Sequence, residues 1–379
     1  MKLKLFIISG MLLLVYNSYA QKNNKQKVPA KKQVLSVMNK ANQYWQATHS
    51  NPGWAFWDEA AYHTGNMAVY EITGNKRYKD YSKKWAEKNN WMGATSNDKT
   101  EWKYSYGETN QYVLFGDWQI CFQTYIDLYN LDKIKDPKKI ARAREVMEYQ
   151  MSTPQNDYWW WADGLYMVMP VMTKLYRITG NPQYLNKLGI YFEYADSVMY
   201  DSVEKIYYRD AKYIYPKHKS INGKKDFWAR GNGWVFAAIP KVLNDLPKTD
   251  QYRSMYIDRF KNMAVTIKNT QQAEGYWTRS MQDPQHAPGP ETSGTAFFTY
   301  GLLWGMNNGF LDKKEYAPIA IKAWEYLTQV AMQPNGKIGY VQPIGERAIP
   351  GQIVNKEATS PFGVGAFLLA AAEMYRYVQ

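Results

Sequence analysis

Apolar positions recur along this chain every three or four residues, segment after segment, the spacing of helices that bury one face. The pattern predicts twelve helices, near 33–48, 56–73, 77–89, 116–131, 137–151, 162–179, 183–200, 230–246, 250–272, 292–309, 315–332 and 361–378. No strong alternating run of β-branched residues competes with it, although short hairpins fit near 203–215 and 337–343. Two segments end alike. Met67-Ala68-Val69-Tyr70-Glu71-Ile72-Thr73-Gly74-Asn75 and Thr173-Lys174-Leu175-Tyr176-Arg177-Ile178-Thr179-Gly180-Asn181 each read as the close of an amphipathic helix stopped by glycine. Each is followed by a tyrosine, Tyr78 or Tyr184, that opens the next helix. Weaker copies end near Tyr129, Leu243, Trp304 and Tyr375, which sets a repeat of about 61 residues and room for six two-helix units.

The helices also alternate in character. Those at 116–131, 162–179, 230–246, 292–309 and 361–378 are rich in Ala, Gly, Leu and Phe, whereas 77–89, 137–151 and 250–272 carry charges on one face. Nearly all-apolar helices alternating with amphipathic ones predict an all-α fold, an inner ring wrapped by an outer ring in an (α/α)6 barrel. A closed ring is preferred to an open solenoid. The first helix lacks a partner, and the last, through Phe367-Leu368-Leu369-Ala370-Ala371-Ala372, is apolar enough to pair with it and seal the ring. Residues 33–379 then form a single domain.

Composition narrows this picture. The chain has 379 residues, 45% of them apolar, and one cysteine, Cys121, which excludes a disordered tail, a disulfide-stapled miniprotein and a multipass membrane protein. With no intrachain disulfide available, stability comes from a large core. At the N-terminus, Lys2 and Lys4 precede an apolar run from Leu5 to Val15, then Ser18-Tyr19-Ala20-Gln21. This is the layout of a secretory signal peptide, residues 1–20, with a run too short to span a bilayer. No cysteine follows it to carry a lipid. Residues 21–32 read as a flexible basic segment, and the expected location is outside the cytoplasm, in a bacterial periplasm or secreted. The formal charge of +13 comes from scattered lysines without the patterned stripe of a nucleic-acid module. It fits either a solvated surface or attraction of anionic saccharides, with no nucleic acid and no membrane as partner once the signal is removed.

The 33 tyrosines and 15 tryptophans exceed what a core needs and suit a cleft that is flat, sticky and able to hydrogen-bond. Many fall where loops enter the apolar helices. These mouths are Asn51 to Asp58, Phe115-Gly116-Asp117-Trp118, Tyr158-Trp159-Trp160-Trp161-Ala162-Asp163-Gly164, Phe227-Trp228-Ala229-Arg230-Gly231-Asn232-Gly233-Trp234 and Gly289-Pro290-Glu291-Thr292-Ser293-Gly294. An acid at a helix start ordinarily caps it, which accounts for Asp117 and Asp163 taken singly but not for the three tryptophans before Asp163. A carboxyl walled by indoles is desolvated, holds its proton and can act as a general acid near neutral pH. Arg230, among glycines, fits a substrate carboxylate or the bracing of an acid equally well. Trp234, one turn on, would face the same way and offer a stacking surface. His49, His63, His218 and His286 lack metal-ligand spacing, and no phosphate loop, Gly-x-Ser-x-Gly or Cys/His pairing occurs, so nucleophilic and metal mechanisms are disfavoured.

At these residues the chain resembles the unsaturated uronyl hydrolases of glycoside hydrolase family 105. The likeness covers most of it and rests on Trp160-Trp161-Ala162-Asp163-Gly164-Leu165-Tyr166-Met167, on Phe227 to Trp234 and on Glu291-Thr292-Ser293-Gly294. It implies an (α/α)6 barrel that removes a terminal 4,5-unsaturated uronic acid left by a polysaccharide lyase, with no metal or organic cofactor. By that likeness Asp163 is the general acid/base and Asp117 the second acid. Arg230 and Trp234 bind substrate, Trp161 and Tyr62 belong to the sugar pocket, and Glu291, Thr292 and Ser293 join the substrate-binding set. Where rhamnogalacturonan-acting relatives tend to carry a histidine after an aromatic pair, this chain reads Tyr207-Tyr208-Arg209-Asp210. A cation at Arg209 suits a more anionic neighbour, such as 3-sulfated rhamnose of ulvan fragments, or pairs with Asp210 or another acid. Pectic fragments, a non-catalytic glycan-binding protein, and an inverting glycosidase or lyase on the same toroid are the competing readings.

Overall fold

The structure, a computed structural model, describes residues 28–102 and 111–379. The signal-peptide reading and most of the 21–32 segment lie outside the described residues. Twelve helices are described: α1 (Lys31–Thr48), α2 (Trp57–Thr73), α3 (Lys76–Lys88), α4 (Cys121–Leu131), α5 (Lys138–Ser152), α6 (Ala162–Thr179), α7 (Gln183–Met199), α8 (Ala229–Asp245), α9 (Arg253–Asn269), α10 (Thr292–Asn307), α11 (Lys313–Tyr326) and α12 (Pro361–Tyr377). The even-numbered helices form the inner ring. Each packs on the next, and α12 returns to α2. The outer helices lie one against each inner neighbour, with α1 on α12, so the first and last helices do meet across the seam.

Burial explains the alternation read from the sequence. Helix α10 is buried from Thr292 to Met306 and α12 from Phe362 to Met374, whereas α3 buries only Tyr78, Ser82, Trp85 and Ala86. Closure depends on two glycines. A Cβ at Gly65 would stand 2.2 Å from the carbonyl oxygen of Gly365, and one at Gly365 would stand 2.3 Å from that of Ala61, so α2 and α12 touch backbone to backbone. The two repeated phrases end as expected, with Gly74 and Gly180 in the left-handed conformation at φ 65° and 69°.

Four expectations shift. The 116–131 helix is broken into a 3-10 turn at Gly116–Trp118 and α4 proper: the backbone amides of Trp118 and Gln119 donate three residues back, to Phe115 at 3.0 Å and Gly116 at 2.8 Å, and the Gln119 side chain donates to the Val113 carbonyl. Helix α11 ends in a π-helical turn, Leu327–Ala331. The hairpin near 203–215 is a minimal antiparallel pair, β1 (Tyr200–Asp201) with β2 (Ile206–Tyr207), and that near 337–343 is a single bridge between Met332 and Ile338. Helix α1 also starts at Lys31, inside the segment expected to be flexible. No described helix is long and apolar enough to cross a membrane.

Candidate active site

The inner helices present their N-terminal ends to one mouth, and a recurring backbone device fixes three of them. The amide of Ala162 at the start of α6 donates to the Arg209 carbonyl at 2.8 Å, that of Ala229 in α8 to Arg279 at 2.8 Å, and that of Thr292 in α10 to Tyr340 at 2.9 Å. Each helix start is thus stitched to an extended segment from the following unit, which answers one of the amides that a helix N-terminus leaves open. At α6 this stitch delivers Arg209. The segment is itself clamped by Asn232, whose side chain accepts from the Tyr207 amide at 2.8 Å and donates to the Tyr207 carbonyl at 2.9 Å.

Asp163 lies in the first turn of α6, but the cap residue is Trp161 and makes no side-chain cap bond. Asp117 sits in the 3-10 turn and does not cap it either. Capping, the ordinary explanation for both acids, therefore falls away. Asp163 is 9% exposed and accepts from Arg209 Nε at 3.2 Å. Burial raises its pKa, while the cations of Arg209 and Arg230 pull it back down. Asp117 is pushed up to about 8, chiefly by burial and then by the charge on Asp163, with Arg209 opposing and Asp58 adding to the rise. Asp58 is itself raised by burial. Asp163 is thus bonded to a cation and Asp117 is not, and Asp117 retains its proton at neutral pH.

The three adjacent tryptophans divide their work. Trp159 is buried against Tyr191, Trp161 stacks on Phe115 with centroids 4.7 Å apart, and Trp160 is 41% exposed with Arg209 over its ring at 6.0 Å. Gly164 lies close beneath this wall, where a Cβ would come within 3.1 Å of the Trp161 indole and press on it. Opposite, the exposed Trp54 meets Trp118 edge-on at 5.5 Å.

Several expected substrate contacts are placed elsewhere. Tyr62 is fully buried and points away from the mouth toward α1, donating to Asn42 Oδ1 at 2.6 Å and accepting from Gln46 at 3.2 Å. Trp234 is a core residue, enclosed by Trp57, Tyr166, Phe297 and Phe362. Glu291 caps α10, accepting from the amides of Ser293 at 3.1 Å and Gly294 at 2.6 Å, from the Ser293 hydroxyl at 2.6 Å and from the Gln342 amide at 3.1 Å. Thr292 shares a hydrogen bond with Tyr326 at 2.7 Å. All three residues of this motif are buried and committed to fastening the helix.

Arg230 is also fully buried. It donates to the carbonyls of Gln342 at 2.6 Å and Pro343 at 2.9 Å, lies 4.0 Å from Glu291, and is sandwiched between Trp228 and Phe362. Of its two sequence readings the structure favours bracing. What it braces is the segment carrying Glu346, which the sequence did not single out. Glu346 accepts from Tyr213 at 2.5 Å, Lys212 at 3.2 Å and Arg209 at 3.4 Å. Arg209 also donates to the buried Asp210 at 2.7 Å, so three acids converge on its guanidinium. Glu346 lies 137 positions from Arg209, and only the fold brings them together.

A helical toroid whose rim holds two desolvated aspartates, one shared arginine and exposed indoles can deliver a proton to a sugar. The family model described as Glycosyl Hydrolase Family 88 matches residues 19–378. An unsaturated 3S-rhamnoglycuronyl hydrolase of Formosa agariphila is 31% identical, the match covering 99% of each chain. A solved structure described as a polysaccharide lyase is 68% identical with a TM-score of 0.87, covering 92% of this chain and 98% of its own. A glycosyl hydrolase family 88 protein from Bacteroides vulgatus is 60% identical, TM-score 0.87, covering 92% and 100%. The fold extends to a possible family 105 member from Salmonella enterica, 19% identical, TM-score 0.73, covering 97% and 99%. The chain therefore belongs to Glycosyl Hydrolase Family 88 and is a glycoside hydrolase.

Proposed function

We propose that this enzyme removes the terminal 4,5-unsaturated uronic acid from oligosaccharides released by a polysaccharide lyase, acting on the C4=C5 bond rather than on the glycosidic bond directly. The observation that carries this reading is the pair of buried acids at the rim, Asp163 bonded to Arg209 at 3.2 Å and Asp117 raised by burial and by the charge on Asp163. An incoming uronate carboxylate competes with Asp163 for that guanidinium. Once Arg209 turns to the substrate, Asp163 loses the nearest charge that lowers its pKa and takes up a proton. Asp117, already neutral, adds no repulsion against an anionic sugar.

Asp163 then donates its proton to C4 as the C4=C5 electron pair forms the new C–H bond, and the ring oxygen shares the positive charge left at C5. Water adds at C5 and returns its proton to the Asp163 carboxylate. The resulting C5 hemiketal opens to a ketone, leaving a hemiacetal at C1 that sheds the next sugar. One water is consumed and the acid is restored. Because the proton goes to carbon, the usual carboxyl-spacing rule for glycosidases does not apply.

For the neighbouring sugar we propose rhamnose carrying a 3-sulfate, supported by the likeness to the unsaturated 3S-rhamnoglycuronyl hydrolase of Formosa agariphila. Arg209 is held among Asp163, Asp210 and Glu346, so Lys212, which shares Glu346 but stands exposed to solvent, is the better candidate for the sulfate. The residue 1–20 pattern supports an exported, periplasmic enzyme. The 68% identical protein described as a lyase favours a second reading, lyase chemistry on the same rim. Ultraviolet absorbance separates the two on ulvan and pectic fragments predigested by a lyase. Hydration of the unsaturated uronate lowers the enol-ether band, and a rise in absorbance would replace this reading by the lyase one. Equal turnover of sulfated and desulfated disaccharides would remove the sulfate from the proposal.

A further inference from the structure

The six inner helices enclose a second cavity where they end, at the opposite face of the barrel from Asp163. It measures about 540 Å³ and lies between the closing turns of α2, α4, α6, α8, α10 and α12, within the ~300–1,000 Å³ usual for small-molecule sites. A plug of Tyr166, Trp234 and Phe297, with ring centroids 4.4 to 5.5 Å apart, fills the barrel axis between them.

Most charges around this floor cavity are paired. Lys174 is bound to Asp127, and Arg376 holds Glu373 at 2.6 Å and Glu71 at 3.2 Å. Two groups on α8 are left over. Among the described residues Lys241 makes no ion pair and no side-chain hydrogen bond, its ammonium lying 5.4 Å over the Tyr166 ring. Asp245 accepts only a long bond of 3.4 Å from Thr173, and Lys174 and Arg177 act on it from beyond ion-pair range. Four residues apart, Lys241 and Asp245 share one face of the helix, yet they do not bond each other.

One group donates only and the other accepts only. A hydroxyl satisfies both, accepting from the ammonium and donating to the carboxylate, and a vicinal diol spans the two. The carboxamides of Asn130 and Asn308 and the Tyr300 side chain line the same space. Four carboxylates against three cations, at the negative ends of six helices, disfavour an anion. We propose that the floor cavity is a second saccharide site, taking a neutral monosaccharide whose hydroxyls bridge Lys241 and Asp245. This assignment rests on the cavity alone and stands or falls apart from the reaction at the rim.

The test is a titration of the Asp163→Asn protein with L-rhamnose, D-glucose and D-galactose by saturation-transfer NMR and calorimetry, with inorganic sulfate as the anion control. At least one sugar should bind saturably and lose about tenfold or more in affinity with Lys241→Met and with Asp245→Asn, while Arg209→Ala leaves it unchanged. Should either α8 variant fail to fold by its melting curve, Asn308→Ala at the exposed edge of the cavity should still weaken binding severalfold. Absence of saturable binding by all three sugars would overturn the assignment. So would binding that survives these substitutions but is lost with Arg209→Ala, or Lys241-dependent binding of sulfate without sugar.

Discussion

The two ends of this barrel use the same materials differently. At the rim, helix N-termini surround Asp58, Asp117 and Asp163, and among the described residues Arg209 is the one cation bonded to an acid of this trio. At the floor, helix C-termini surround seven charged side chains of which five are locked in pairs. Pairing makes a charge structural. It consumes the hydrogen-bonding capacity that a ligand would otherwise use and holds the side chain in one place. Without an ion-pair partner among the described residues, burial moves a group toward its neutral form, Asp117 upward at the rim and Lys241 downward at the floor. At the rim one cation is spread over several acids, whereas at the floor most charges are settled among themselves.

The sharpest break in the comparison comes from neutralising one acid at each end. Asp163→Asn should cut turnover by about 10²–10⁴-fold, the worth of a general acid, measured as loss of unsaturated-uronate absorbance. Glu71→Gln, which removes only a floor ion pair with Arg376, should leave turnover within about twofold. Comparable losses in both variants would dissolve the distinction between the two ends.

Asp117→Asn tests the rim further. The amide keeps this position neutral, so activity should fall by only about tenfold, the cost of exchanging a carboxylic-acid donor for a weaker amide donor. Stability should move the other way with pH. The folded pKa of about 8 stands above the ordinary 3.8, so the native state binds this proton more tightly than the unfolded chain. Native protein therefore loses stability as pH rises from about 4 to about 8, and bears the whole cost above that. Lacking this cost, the variant should gain in melting temperature relative to the native protein across that window. A flat difference between pH 4 and pH 8 would show that Asp117 is not desolvated.

The smallest effect belongs to Lys241→Met. Burial and the neighbouring Lys174 lower the lysine from 10.5 to about 8, so here the unfolded chain holds the proton more tightly. Stability rises with pH between about 8 and about 10.5, and the cost is fully present below 8. The variant should melt about 2 °C higher than the native protein at pH 7, an advantage that disappears near pH 10.5. A shift independent of pH would place the effect in packing instead of charge.

How much of this was legible beforehand differs between frame and site. The 3.6-residue period, the glycine stops at Gly74 and Gly180 and the alternation of apolar with amphipathic helices predict the twelve helices and the closed ring, because each reports on local geometry or on how many faces a helix buries. Asp163 and Asp117 were legible too. Their flanking indoles and glycines, Trp161, Gly164 and Trp118, announce desolvation within a few residues of the acid itself.

Direction was not legible. Tyr62, Trp234, Thr292 and Ser293 lie on the expected helices and Glu291 just before one, yet their side chains turn to the outer ring, the axial plug or their own helix start, and a one-dimensional pattern does not distinguish these from the cleft. Arg230 is bound to carbonyls 112 and 113 positions away, and Arg209 meets Glu346 across 137. The sequence by itself determined the repeat, the ring and the two acids, all encoded in short-range spacing. Only the tertiary structure decided which cation serves which acid and which lysine is left alone, because the fate of a buried charge depends on neighbours supplied by other units of the ring.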